Sequence, residues 1–339
     1  MGIRRRSVQS GLILGLIASP LIGQHIVTIK PDTVKRSSSL ANVPIVAPIR
    51  CDDSGSLYYR EFTPGDGSRS LVSLKNDAQT VTTFDLSRAS IDSVHIASAR
   101  GFAVSPNGSV FQVVMDDNDH VYILRFDADG SYEGVIKLDI DFWPQDLATI
   151  GGQSFICSGT QVLRTGPVTR FEPFVALFDQ SGRFIKNVEP NVPSAPNSQN
   201  RSQSVATNAP LGRLEVGALE SGDGVAYLLR QTKQPVILVI SAAGTIDRQF
   251  NLEAPPGMKI SSFKAGAGKL VVEYMDSKGG DNSRVLFSTY DSLDGTKLLD
   301  YEPAPELASG FACYDFKRTF SFVSADQQGY RTLVTGVAR

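Results

Sequence analysis

The sequence predicts an all-β protein, a six-bladed β-propeller of four-stranded antiparallel blades. Three observations lead there. Short apolar runs rich in Val, Ile, Phe, Tyr and Leu alternate with Gly, Asn, Asp and Ser at intervals of about 8 to 12 residues. No window beyond residue 40 carries the 3.6-residue apolar stripe of a core helix, and the turn signals come too often for alternating βαβ units. One four-strand pattern returns about six times along the chain.

The clearest copy runs from Ala97 to Asp139, as ASARGFAVSP, VFQVVMD, HVYILRFD and YEGVIKLD. Asn107-Gly108 supplies the positive-φ positions of its first hairpin, Asp116-Asp117-Asn118-Asp119 forms a polar loop, and Asp127-Ala128-Asp129-Gly130 turns the third strand into the fourth. Three consecutive hairpins make the meander of one blade. The grammar recurs with Gly151-Gly152 and Phe174–Val188, from Leu214 to Leu252, from Ile260 to Tyr301 and, more weakly, from Pro44 to Leu86. Gly108 and Gly152 are 44 residues apart, as are Gly224 and Gly268, within the roughly 40 to 50 residues of a propeller repeat.

The last copy has three strands, SGFACYDF, RTFSFVSAD and YRTLVTGVA, and no fourth. An orphan run, His25–Lys30 (HIVTIK), precedes the first copy and is expected to close the last blade, because pairing the two ends of the chain removes exposed edges. One interval is long, at about 190–211, where Pro, Ser, Asn and Gln replace large apolar side chains; this predicts a flexible inter-blade loop within a single domain spanning 24–339.

Arg4-Arg5-Arg6 followed by the uncharged apolar stretch Gly11–Gly23 reads as a signal peptide over 1–23, with cleavage between Ala18 and Gln24. The run is shorter than the roughly 20 residues of a membrane span, so no span is expected in the mature chain, and the destination is periplasmic or extracellular. The chain has 339 residues, 41% hydrophobic and 20% charged, with a formal charge of −2. That balance gives no positive field for a polyanion and excludes nucleic acid as a partner class. Three cysteines are too few for a disulfide scaffold, and their ordinary reading is as buried free thiols. Cys51 and Cys313 nevertheless fall at comparable inner-strand positions in the first and last copies, which ring closure would make neighbours.

The repeated third-to-fourth strand turns LRFDADGSYEG, ALFDQSGRFIK and VISAAGTIDRQ, with the Pro-led inner-strand start Trp143-Pro144-Gln145-Asp146-Leu147-Ala148, resemble those of NHL-like and TolB-like six-bladed propellers. The first copy departs from them at Lys75-Asn76-Asp77-Ala78, where the glycine is absent. The resemblance implies a protein that binds ligands or other proteins, some such propellers being hydrolases or lactonases with a metal at the channel mouth.

Only His25, His95 and His120 are present, too few for a multi-histidine metal centre. The aspartate loops lack the glutamate of a calcium-binding loop and read as solvated turns, so no cofactor is expected, calcium staying open as an oxygen-ligand possibility. No G-x-S-x-G pentapeptide marks a nucleophilic serine. Propellers meet ligands where the inter-blade connections and the second-to-third strand loops gather round the channel. This nominates His95, Trp143, Asp146, Glu215 and Glu306 near inner-strand starts, and Arg164, Arg170, Arg230 and Lys233 in loops. The leading expectation is an exported non-enzymatic propeller binding a protein, peptide or glycan; the alternative is a metal-dependent hydrolase or lactonase using carboxylates at the channel mouth.

Overall fold

The computed structural model describes residues 26–40, 45–52, 54–62, 69–89, 95–150, 154–165, 168–188, 213–218, 224–230, 234–276, 284–307, 310–325 and 330–339; for 38–40, 46, 47, 62, 69, 164, 165, 168–170, 213–218 and 325 it describes the backbone only. The signal segment 1–23 and the loop at 190–211 lie outside the described residues.

The described chain is mostly strand, with two short 3-10 turns and no α-helix among the described residues. After β1 (Ile26–Leu40) come β2 (Ile45–Cys51), β3 (Leu57–Phe62), β4 (Arg69–Leu74) and β5 (Val81–Phe84), which form one antiparallel sheet in chain order. The same meander is repeated by β6 (Ile96–Val104), β7 (Val110–Asp116), β8 (Val121–Phe126) and β9 (Tyr132–Lys137). It returns in β10 (Trp143–Ile150), β11 (Ser154–Thr165), β12 (Val168–Asp179) and β13 (Phe184–Asn187), then in β14 (Arg213–Ala218), β15 (Gly224–Arg230), β16 (Val236–Ile240) and β17 (Ile246–Asn251). The remaining strands are β18 (Met258–Gly266), β19 (Lys269–Asp276), β20 (Val285–Asp291), β21 (Lys297–Pro303), β22 (Phe311–Tyr314), β23 (Thr319–Ala325) and β24 (Tyr330–Ala338). Together with β1 they make a single eight-stranded sheet, ordered β18-β19-β20-β21-β1-β24-β23-β22.

Six separate four-stranded sheets were expected from the repeats; hydrogen bonding gives four such sheets and one of eight strands. The reason is β1, which pairs in parallel with β21 through Ile26–Ile29 and antiparallel with β24 from Ile29 to Leu40. Of the stretch expected to close the last copy, His25–Lys30, Ile26–Ile29 pair with β21 and Ile29 and Lys30 with β24, His25 lying outside the described residues. The longer contact with β24 is made by residues 31–40, whose polar, proline-containing sequence gives no strand signal.

The turns carry a common chemistry. In Asp127–Ser131, Asp179–Arg183, Ser241–Thr245 and Ser105–Ser109 the first residue exchanges backbone hydrogen bonds with the fourth and fifth, and the fourth is a glycine at positive φ. An aspartate in the first position also accepts from the backbone N–H two residues on, as Asp179 Oδ1 does from Ser181 at 2.9 Å. The hydroxyl of Ser181 donates to the same carboxylate and, with these N–H donors, pulls Asp179 down to about 2.

Gly182 does more than complete its turn. A Cβ there would stand 2.2 Å from the Lys137 carbonyl oxygen of β9, so the turn of one sheet is pressed onto the fourth strand of the sheet before it. Gly130 meets Thr83 of β5 in the same way, and Gly295 meets Phe250 of β17. In the first sheet the equivalent turn, Lys75–Thr80, lies on β1: Gln79 Nε2 donates to Arg36 O at 2.6 Å and Lys35 Nζ to Asn76 O at 2.7 Å. The residue at the glycine position is Ala78, held at φ 60° with its methyl buried.

Packing follows strand position. The second and third strands are buried over most of their described length, and their successive side chains serve opposite neighbours: Val225, Tyr227 and Leu229 of β15 pack toward β18–β20, Ala226 and Leu228 toward β10–β12. Fourth strands such as β9 and β17 alternate with solvent. Among the described residues there are six apolar clusters, five of them between groups of strands consecutive in the chain. The sixth joins Leu57, Tyr59, Val72 and Leu74 of the first sheet to Ala312, Val323 and Leu333 near the end of the chain. Cys51 and Cys313 form a disulfide across this junction, with Cα atoms 6.3 Å apart, in place of the free thiols that are the ordinary reading of the sequence. Arg331 reinforces it, donating to Tyr59 Oη at 2.9 Å and pairing with Glu61.

Two consequences can be measured by urea unfolding. Gly182→Ala should cost about 2–4 kcal/mol, combining left-handed strain with a backbone collision, whereas Gly257→Ala, at φ 78° with nothing within 4 Å of the new methyl, should cost only about 1 kcal/mol. Reduction of Cys51–Cys313, or the double serine variant, should remove about 5 kcal/mol on the chain-entropy account, because the bond closes a separation of 262 residues.

Candidate functional site

β2, β6, β10 and β14, the first strands of their sheets, and β18 and β22, the edges of the eight-stranded sheet, approach one another in the order β22-β2-β6-β10-β14-β18 and are the inner strands. Five of the six, all but β14, show register shifts against their second strands. Such bulges bend a strand and re-aim its side chains. They accompany tight approach: a Cβ on Gly101 of β6 would lie 2.6 Å from the Asp146 Cα of β10.

The interior holds charge. Arg50 of β2 reaches β10, where its Nη2 stands 2.7 Å from Asp146 Oδ1 and 3.3 Å from Leu147 O, with only 6% and 9% of the two side chains exposed. Lys264 of β18 donates to the Ile49 carbonyl of β2. Arg60 of β3 donates to Arg100 O at 2.9 Å and to Gln112 Oε1 at 2.9 Å, tying the first sheet to the second. Burial, and after it the Asp146 carboxylate, pushes the Cys157 thiol well above its ordinary range, which makes this buried cysteine a packing group and not a nucleophile.

Of the residues nominated from the sequence, Asp146 is thus an interior ion-pair partner and not an open carboxylate at a mouth. His95 is exposed ahead of β6, its Nδ1 3.0 Å from Asp117 Oδ2 in the loop after β7. In that loop burial works to raise the Asp116 carboxyl, but the N–H groups of His120 and Asn118, the His120 ring and the Tyr122 hydroxyl outweigh it and hold it below the usual carboxylate range. Asp116 therefore organises its own turn. Glu306 lies exposed on a short 3-10 turn at Pro305–Leu307, between β21 and β22. Glu215 is on β14, where only the backbone is described, and Lys233 lies outside the described residues; Arg230 ends β15. Among the described residues no group of three or more His, Cys, Asp and Glu side chains is placed to hold a metal.

Arg164 and Arg170 are not in a loop, as the sequence suggested, but in the strands of an extended hairpin. Its two strands have 12 residues each, and Trp143, the first residue of β10, is paired with Thr160. Residues 161–165 and their partners 168–172 therefore run on past the inner strand, by about 16 Å at 3.3 Å per residue. At the root of this projection the Trp143 and Phe171 rings meet with centroids 5.3 Å apart, yet 43% and 47% of their surfaces stay exposed. Trp143 was legible from the sequence. Phe171 was not, because only the register of the hairpin sets it beside Trp143.

No protein-family model and no curated protein matches the chain. Solved structures do. A protein of unknown function from Dyadobacter fermentans matches with a TM-score of 0.55 at 11% identity, over 92% of this chain and 99% of that one. A protein of unknown function from Bacteroides caccae matches with a TM-score of 0.47 at 8% identity, over 77% and 82%. A GH74 xyloglucanase from Xanthomonas campestris also scores 0.47, at 17% identity, over 91% of this chain and 44% of its own. At such identities the Dyadobacter likeness speaks to fold alone.

The interior ion pair makes a direct prediction. Arg50→Met or Asp146→Leu alone should destabilise the protein by about 3–5 kcal/mol, each leaving a buried charge without its partner, and the double variant should recover most of that loss. A double-mutant cycle in urea checks it; additive losses would show that the two groups act independently.

Proposed function

We propose that this protein is an exported six-bladed propeller that binds a protein or peptide partner through the face where its inner strands begin, without catalysing a reaction. Counting the eight-stranded sheet as two blades joined at β1 gives six blades. The turn Lys75–Thr80 resting on β1, the apolar cluster between the first sheet and residues 312–333, and the disulfide across it all support closure of the ring between the two ends of the chain. Export is supported by the signal-like segment 1–23 and by that disulfide, which an oxidising compartment would preserve. No helix among the described residues is long and apolar enough to cross a membrane.

The observation that carries the binding assignment is the Trp143–Phe171 pair at the root of the projecting hairpin. Exposed large aromatic side chains cost solvation unless something covers them, and Trp with flanking Arg is the composition of interface hot spots. Arg164 and Arg170 are strand residues of the same hairpin. The hydrolase alternative gains nothing from Asp146, whose carboxylate is engaged by Arg50.

Photo-crosslinking in the native cell tests this. A benzophenone amino acid at position 171 should capture one discrete protein adduct, the same probe at exposed Val135 of β9 should not, and Trp143→Ala should weaken the interaction by about 2 kcal/mol, roughly 30-fold, with thermal stability unchanged. Equal adducts at both positions, or none at 171, would overturn the assignment, and Trp143-dependent binding on a glycan array would replace the protein partner with a glycan.

A further inference from the structure

The hairpin that brings Phe171 to Trp143 leaves backbone as well as rings uncovered. β12 is 12 residues long, but its outer neighbour β13 has only 4. Their pairing covers Ala176, Leu177 and Phe178, with one further bond from Val188 N–H to Val175 O at 2.8 Å. Among the described residues no strand pairs with the outer edge of β12 from Val168 to Phe174. Third strands elsewhere are covered: β9 pairs with Tyr122–Phe126 of β8, and β17 with Val236–Ile240 of β16.

The ladder fixes which backbone groups face out. In an antiparallel strand the N–H and C=O of one residue point to the same side, and the side alternates along the chain. Val175 bonds outward to Val188, and β11 and β12 pair with no register shift along their whole length. Thr169 and Phe171 therefore direct N–H and C=O outward, while Arg170 and Glu172 bond inward to their partners Leu163 and Gln161. Pro173, with no N–H to give, falls in the outward series, the position at which a strand tolerates proline.

A row of outward donors and acceptors defines the chemistry of its occupant. Such an edge is a template for another strand, and folded proteins ordinarily shorten or cover it. Here it runs beside two exposed aromatic rings. A residue set opposite Phe171 on an added strand turns its side chain to the same face as Phe171. A helix, whose backbone groups are bonded internally, could not use the edge.

We propose that the partner is held as an extended peptide segment added to the outer edge of β12 at Thr169–Pro173, with an apolar side chain beside Phe171. The proposal rests on the assignment of the Trp143–Phe171 pair as a binding site and adds the partner's conformation there. Backbone hydrogen bonds supply affinity and the aromatic rings select the side chain, as in other strand additions to a sheet edge.

Amide hydrogen exchange in the purified protein tests the edge without a partner. Thr169 and Phe171 should exchange at least about tenfold faster than Arg170 and Glu172, whose N–H groups are paired. Equal rates at these positions would overturn strand addition and leave the aromatic pair as a binding site. The adduct captured from position 171 then tests use of the edge. Thr169→Pro removes an outward donor and no bond within the hairpin, so it should lower the adduct yield about tenfold or more with the melting temperature unchanged. Val135→Pro, which removes an outward donor from β9, should not lower it. An undiminished adduct in Thr169→Pro overturns strand addition alone, whereas no adduct in the parent protein overturns the binding assignment and this proposal with it. Should Thr169→Pro fail to fold, the exchange pattern decides.

Discussion

The described central strands bury apolar side chains on both sides, so a sheet left with a bare face would expose them to water. Leu57 and Tyr59 of β3 face residues from the end of the chain while Tyr58 between them faces the second sheet. A row of such sheets would leave the first and last with a hydrophobic face in water. The cluster between Leu57, Tyr59 and Val323 removes that cost at the one junction where chain continuity offers no help. It explains why Cys51–Cys313, the Arg331 contacts with Tyr59 and Glu61, and the seating of the Lys75–Thr80 turn on β1 are gathered at this junction.

Local turn chemistry and packing between sheets are served by the same atoms. A tight hairpin with its fourth residue in the left-handed region favours glycine for conformational reasons, and the approach of Lys137 O to Gly182 demands it a second time for steric ones. The exception is informative. Ala78 holds the left-handed conformation in the turn that rests on β1, and there the methyl joins the core, its burial offsetting the strain. The missing glycine in Lys75-Asn76-Asp77-Ala78 thus marks the sheet whose neighbour comes from the far end of the sequence.

The channel is where sequence reasoning served least well. Asp146 and Trp143 sit three positions apart on one strand and read alike as polar or aromatic groups near an inner-strand start. One is buried against Arg50 and the other stands half exposed at the root of a hairpin. They differ in depth along β10, Trp143 standing opposite Thr160 at the start of the strand and Asp146 opposite Ser158 within reach of Arg50, with a bulge at Gln145 between Pro144 and Asp146. A second bulge, at Ser261, breaks the period of β18. Bulges have no distinctive residue signature, so neither could be anticipated.

The sequence by itself determined the all-β class, the four-strand unit and its boundaries, because side-chain periodicity and turn residues act over a few neighbours and are written in linear order. Asn107-Gly108 and Asp179-Gln180-Ser181-Gly182 announce their hairpins wherever they stand. Only the tertiary structure decided that residues 31–40 are strand, since their backbone hydrogen bonds to β24 are made by a polar segment with no apolar pattern to betray it. It alone decided that Arg50 meets Asp146 and that Phe171 meets Trp143, and it joined the Cys51–Cys313 pair that the repeats had placed at comparable positions. These are contacts between positions far apart in the chain or offset by a strand register, and a register is fixed by the fit of whole sheets against one another, a collective property that no short window of sequence contains.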